Sequence, residues 1–299
     1  MKIVVTFLIV FTFFGCRDDK NTPQTILRGE IDLLVDESLV PLIEDQVEVF
    51  ESEYPGRINI VPLSENELVK RLVSDSSGVA IMSRNLTEKE RQIFDKRKII
   101  PKVTPFGRDA VVFLRNAKNL DSVLQMKDMI QFMRGEASPI RGIVLDNPNS
   151  GTLRALLGAS GISNPPAENV FSFNSSAEAI KYVAENDGMV GVVALNHITQ
   201  PSAQMQKTLK SVRVLSVKSA DNDAAVYPSQ DALASENYPL ARDLYIVNCQ
   251  GSAGLGVGIA SFIAGEKGQR IMLKSGLLPI RIPGRNIIIR NKIQNKSEN

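Results

Sequence analysis

Three short polar segments carry the residue types that hold an anion: Asp36–Glu37–Ser38, Ser83–Arg84 and Ser150–Gly151–Thr152. Hydroxyls donate hydrogen bonds, a glycine lets main-chain N–H groups come close, and a guanidinium can take two oxygens at once. Each segment follows a strand-type run (Glu30–Val35, Val79–Met82, Ile143–Leu145) and puts its hydroxyls at or near a helix start. The third is the most explicit. Turn formers Asp146–Asn149 lead into Ser-Gly-Thr, and Leu153, Leu156 and Leu157 follow at helical spacing. A helix start aims free N–H groups and the positive end of the dipole at one spot, which makes an anion cradle. An ordinary N-cap after a turn is the plainer reading of the same residues. Asp109, just ahead of the apolar run Ala110–Leu114, could accept a proton from a hydrogen-bearing oxyanion. Donors mixed with one acceptor carboxylate favour such an anion over sulfate, which would set lone pair against lone pair.

Other chemistries find little support. His197 is the only histidine, so a centre of several imidazoles is excluded and a Ser-His-Asp arrangement would hang on one residue in a loop after a strand. That position predicts a surface histidine. Gly251–Gly258 resembles a dinucleotide loop, but Ile259 stands where the third Gly or Ala belongs, so a flexible connection is expected. A formal charge of +2 provides no concentrated basic surface for nucleic acid. The expectation is a protein with no cofactor, no metal and no catalytic residues.

The elements that must position these loops follow from periodicity. Leu39, Ile43, Val47, Phe50 and Tyr54 form one apolar stripe, with Ser38 placed to cap the helix and Pro41 in its first turn. Pro55–Gly56 stops it and Arg57–Val61 is a second strand, so a βαβ unit and a parallel sheet are expected. Thr87 and Glu90 have capping-box spacing for a helix over 87–97, and Ser175 with Glu178 starts another. Strands are predicted at Ile99–Val103 and Ala110–Leu114, separated at Gly107–Arg108–Asp109, and again at Met189–Ala194, Val212–Val217 and Leu244–Val247. Helices are predicted over Val123–Met133 and from about Val257 to Ser275. With 299 residues, 43% hydrophobic and 23% charged, the chain has room for two α/β lobes, with a ligand where strand ends meet helix starts.

The N-terminus carries an address. Lys2 precedes the apolar run Ile3–Phe14, and Gly15–Cys16 follows. The run is too short for a membrane span of about 20 residues and has the form of a secretory signal peptide. A cysteine directly after the small residue resembles a bacterial lipoprotein signal, with Cys16 the lipidated first residue of the mature chain. A free Cys16 or an uncleaved anchor is the alternative. Acylation would leave only Cys249, expected to be a small buried residue, and no internal disulfide. Polar residues 17–25 read as a tether.

Taken in order, the segments resemble the phosphate-binding lipoprotein of bacterial ABC phosphate uptake systems, a type II periplasmic binding protein. The likeness spans residues 30 to about 282. It rests on Ser38–Leu42 with Tyr54–Gly56, Ile81–Thr87, Asn149–Thr152, Val190–Val192, Tyr238–Leu240, and Gly268–Arg270 with Gly276–Pro279. It implies phosphate held without metal between two closing lobes. The contacts would come from Ser38 in the first loop, Ser83 and Arg84 in the second, Ser150, Gly151 and Thr152 in the third, and Asp109 as acceptor. It further implies a monomer, partnered by permease subunits and anchored in the cell envelope through lipid on Cys16, periplasmic or surface-exposed. The division expected is 1–15 signal peptide, 16–27 lipidated tether, 28–110 with 222–287 the first lobe, 111–221 the second, and 288–299 a polar tail. Two departures bear on the ligand: Asp146 stands four positions before Ser150, where the family usually has Arg, and Asp36 and Glu37 occupy a loop that usually offers small hydroxyl residues. A sensor or interaction module of the same fold, with a different ligand or none, is the alternative; an esterase or phosphatase is weaker still.

Overall fold

Strands β1 (Gly29–Asp36) and β2 (Gly56–Leu63) pair in parallel across helix α1 (Val40–Glu53), the βαβ unit expected. The computed structural model describes residues 24–75, 78–219, 224–251 and 253–284; the signal segment, Cys16, the tail from 288 and part of Ser219–Gln230 lie outside the described residues. Helix α2 (Glu65–Ser74) leads to β3 (Val79–Met82), buried along its whole length beside β1, and then to α3 (Glu88–Lys96). Thr87 caps α3 and Glu90 reaches back to the Thr87 N–H, completing the capping box that the sequence predicts.

The long strand β4 (Lys102–Asn116) organises the rest. Its first part, through Ala110, pairs antiparallel with β11 (Ala241–Asn248), which also pairs with β3. From Val111 it changes partners, to β8 (Val190–Ala194) and then β9 (Val212–Val214). The two strands predicted on either side of Gly107–Arg108–Asp109 are therefore one. The turn-type residues are overridden because β11 pairs on one side while β12 (Leu278–Pro279) pairs with Gly107 and Arg108 on the other. Strand β4 is common to two groups of strands, the first holding β1, β2, β3 and β11 and the second holding β6 (Ile143–Leu145), β7 (Val170–Ser172), β8 and β9. These are the two lobes.

The second lobe carries α4 (Met126–Met133), α5 (Gly151–Ser160), α6 (Ser176–Glu185), α7 (Asn196–Thr199) and α8 (Ala203–Leu209). Two predictions need correction there. Residues 123–125 begin no helix; they form β5 (Val123–Gln125), paired in parallel with β10 (Ser216–Lys218). The run Val212–Val217 is likewise divided, with buried Leu215 between β9, which pairs with β4, and β10. Short helix α9 (Gln230–Ala234) packs on β4 and β12. Near the end, the single helix predicted to Ser275 is two, α10 (Leu255–Ala264) and α11 (Glu266–Lys274), because extended Gly265 separates them.

Gly256 and Gly258 sit inside α10 and belong to no flexible connection. A Cβ on Gly258 would lie 1.6 Å from the main-chain oxygen of Ile26, so glycine is needed for close approach. Cys249 is buried, as expected. One apolar cluster runs from Leu33 and Phe50 through Val111–Leu114 to Val144, Val183 and Val192, so the lobes share a core through β4.

Candidate functional site

The three polar loops meet at Gly151. A Cβ there would lie 2.2 Å from Ser83 Oγ, 2.7 Å from Asp36 Oδ2 and 3.1 Å from Glu65 Oε2, so the first residue of α5 in one lobe touches the ends of β1, β3 and the start of α2 in the other. Ser38, Ser83, Asp109, Ser150 and Thr152 are all buried at this junction. The cleft is shut.

Each hydroxyl's use can be stated. Ser150 caps α5 by accepting from the Leu153 N–H at 3.2 Å, and its Oγ donates to Asp146 Oδ1 at 2.7 Å. Thr152 Oγ1 donates to the same Asp146 oxygen at 2.5 Å, as does the Asn147 N–H at 2.9 Å. In the first loop Asp36 Oδ1 accepts from the Ser38 N–H at 3.0 Å and Oδ2 from Ser83 Oγ at 3.1 Å. Carboxylates of the protein thus hold donors that the sequence assigns to a ligand. Ser38 caps no helix: Asp36 caps a 3-10 turn, Glu37–Leu39, ahead of α1, and the buried Ser38 Oγ has no partner. Arg84 is also committed. Its Nε donates to Glu65 at 2.6 Å, its Nη atoms take both Glu90 oxygens at 2.8 Å, and Nη1 also reaches the Asn85 main-chain oxygen.

Other charges were not singled out in the sequence. Arg242 on β11 stands opposite Asp109 in the strand register and donates from Nη2 to Asp109 Oδ2 at 2.6 Å. Both side chains are buried, yet Arg242 Nε and Nη1, Asp109 Oδ1 and Asp146 Oδ2 have no partner. The strand period carried the signal: Arg242, Leu244 and Ile246 share the buried face of β11, but the predicted strand began only at Leu244. Glu65, fully buried, bridges Arg84 and Arg154 of α5, and its Oε2 is free.

The electrostatics follow from burial. Glu37, which accepts from the Ser176 N–H and Oγ at the start of α6, is pushed up to about 7 by burial, then by the nearby Asp146 and Asp36 charges, against the Ser176 hydrogen bonds. Asp146 is pushed up to about 6, again mainly by burial, with Thr152, Ser150 and Arg242 opposing and Asp36 adding. Burial raises Asp109 too, with Arg242 opposing. His197 is not the surface residue predicted. It is partly buried in α7 with Nε2 sealed away unpartnered, and burial pushes it down to about 4, resisted by the main chain of Glu37 and Ser38. Among the described residues, no group of three or more His, Cys, Asp or Glu side chains is placed to hold a metal ion.

A sequence model described as a PBP superfamily domain matches residues 21–267. The chain belongs to the PBP superfamily. Its fold is that of the two-lobed binding proteins. A putative phosphate ABC transporter substrate-binding protein with bound phosphate, from Clostridium perfringens, aligns with a TM-score of 0.70 at 18% identity over 85% of this chain and 100% of its own. An ABC-type phosphate transport receptor from Vibrio cholerae aligns at 0.63, with 17% identity over 84% of this chain and 100% of that one. The regulatory domain of OxyR2 from Vibrio vulnificus, in a single-residue variant, shares the architecture at 0.55, with 12% identity over 80% and 98%. A search of curated proteins finds no match. PBP proteins of the transporter type are binding proteins and not enzymes. Among the described residues no helix is long and apolar enough to cross a membrane.

Proposed function

We propose that the chain is the substrate-binding protein of an ABC uptake system and that its cleft takes a hydrogen-bearing oxyanion, with phosphate the first candidate. One observation carries this reading. Unpartnered donors (Ser38 Oγ, Arg242 Nε and Nη1) and unpartnered acceptors (Asp109 Oδ1, Asp146 Oδ2) are buried at one junction of two lobes. A buried polar group without a partner is costly, and a ligand that both accepts and donates satisfies both kinds. Dihydrogen phosphate does so; sulfate offers no proton to either carboxylate. The phosphate named in the Clostridium perfringens structure lends support from the same fold. Entry requires the lobes to part about β4, a hinge motion of the usual kind for two-lobed binders. The Cys16 signal supports delivery from a lipid anchor on the outer side of a membrane, as a monomer handing ligand to permease subunits. Mass spectrometry of the mature chain checks the anchor: a diacylated Cys16 N-terminus is expected, and an unmodified Cys16 rejects it.

Calorimetry with phosphate, arsenate and sulfate tests the ligand. Heat with the first two and none with sulfate is expected; saturable sulfate binding as tight as phosphate would contradict the acceptor argument. The second reading, an interaction or sensor module without a small anion, is favoured by one specific feature: Asp36 and Asp146 already accept from Ser83, Ser150 and Thr152. On that reading no oxyanion changes the melting temperature.

A further inference from the structure

The oxyanion reading leaves open which guanidinium meets the ligand. Resting on that reading, we infer that Arg242, and not Arg84, is the cation that grips the oxyanion.

Arg84 has little left to give. All three of its nitrogens are engaged, Glu90 takes it with both oxygens, and Glu65 supplies a second negative charge. Releasing it would break two ion pairs, one of them to the Glu90 that also closes the N-terminus of α3. Arg242 is in the opposite condition. A guanidinium stays charged whatever surrounds it. This one is 6% exposed and has a single carboxylate oxygen on Nη2, while Nε and Nη1 face no acceptor. Buried charged donors left open in this way are costly, and an anion is what relieves them.

The surroundings fit. Asp109 on β4 anchors Arg242 from the neighbouring strand, at the last residues before β4 changes lobes. Asp146 from the loop before α5 and His197 from α7 both lie within its electrostatic reach. An oxyanion between Arg242 and Asp146 would accept from the guanidinium and donate its proton to Asp146 Oδ2. The positive charge is thus supplied from β11 and the acceptor from the loop before α5. Because β11 and β4 form the floor where the lobes join, Arg242 can hold the ligand before closure completes.

The test is calorimetry of inorganic phosphate binding to the wild-type protein, Arg242→Lys, Arg242→Gln, Arg84→Gln and the control Arg108→Gln, whose ion-pair partners among the described residues are Asp243 and Glu236. Loss of a charge-assisted contact predicts at least about tenfold weaker binding for both Arg242 variants, with the glutamine worse. Arg84→Gln should lose less, and Arg108→Gln should match wild type. Wild-type affinity in Arg242→Gln, or a larger loss at Arg84→Gln, overturns the inference. Should Arg242→Gln fail to fold, the 15N Nε–H resonance of Arg242 in the wild-type protein decides, assigned by its disappearance in Arg242→Lys. It is expected to move on phosphate saturation; an unmoved resonance with phosphate bound overturns the inference alone. A wild-type protein that binds no phosphate overturns the oxyanion reading and this inference with it.

Discussion

Asp146 accepts from Ser150 and Thr152 through one carboxylate oxygen and keeps the other open. With Glu37 it also ties stability to pH. Both carboxyls titrate higher in the fold than in the unfolded chain, at about 6 and about 7. Their stabilising contribution is therefore complete in acid and is lost as pH rises from about 4.5 to about 7. His197, held down at about 4, has the opposite sign: it costs stability as pH falls below the ordinary imidazole range. Asp109, raised by burial as well, acts in the same direction as Glu37 and Asp146, so the balance is a net fall with rising pH. Thermal melts at about pH 5 and about pH 8 should differ by about 2 kcal/mol or more, roughly 4–8 °C. In the Glu37→Gln, Asp146→Asn double variant the difference should vanish or reverse; an unchanged difference would assign it elsewhere. The residue types of the three loops were legible in the sequence. Their engagement with Asp36 and Asp146 was not, because which acceptor a hydroxyl finds depends on loop geometry and on partners such as Asp36 and Ser83, far apart in the chain.

The elements show the same division between local and distant causes. Capping boxes, the apolar stripe of α1 and the βαβ start could be read because each is decided within a few residues. The continuity of β4 could not, since β11 and β12, which hold Gly107 and Arg108 in the sheet, lie far along the chain. Two substitutions test elements directly. Thr87→Ala removes a cap that accepts from the Glu90 N–H and should cost about 1 kcal/mol in denaturant melts; no loss would mean that the box contributes nothing. Gly151→Ala acts differently. Its methyl would strike Ser83 Oγ and Asp36 Oδ2, which belong to the other lobe, so the lobes should be held apart while each stays folded. A phosphate affinity at least about tenfold lower with a melting temperature within a few degrees of wild type is expected. Unchanged affinity would show that closure does not bring α5 onto Ser83.

For the whole molecule, contacts across the cleft keep the shut form together: Glu37 with Ser176, Glu65 with Arg154, Asn66 with Asn149 and Asp45 with Gln200. Several are partly exposed and individually weak, so opening about β4 is not prohibitively costly. The two-lobed α/β architecture was legible from repeated strand–helix units and from the order of short motifs. Arg242 escaped because its role depends on strand register against Asp109, 133 residues earlier. The account's central claim is that this junction receives a hydrogen-bearing oxyanion, in competition with its own carboxylates. Isothermal titration of phosphate and of sulfate at about pH 7, where Asp146 is mostly ionised and can accept a proton from the ligand, tests it most directly. Saturable phosphate binding with none for sulfate is predicted; no phosphate binding, or sulfate bound as tightly, would contradict it.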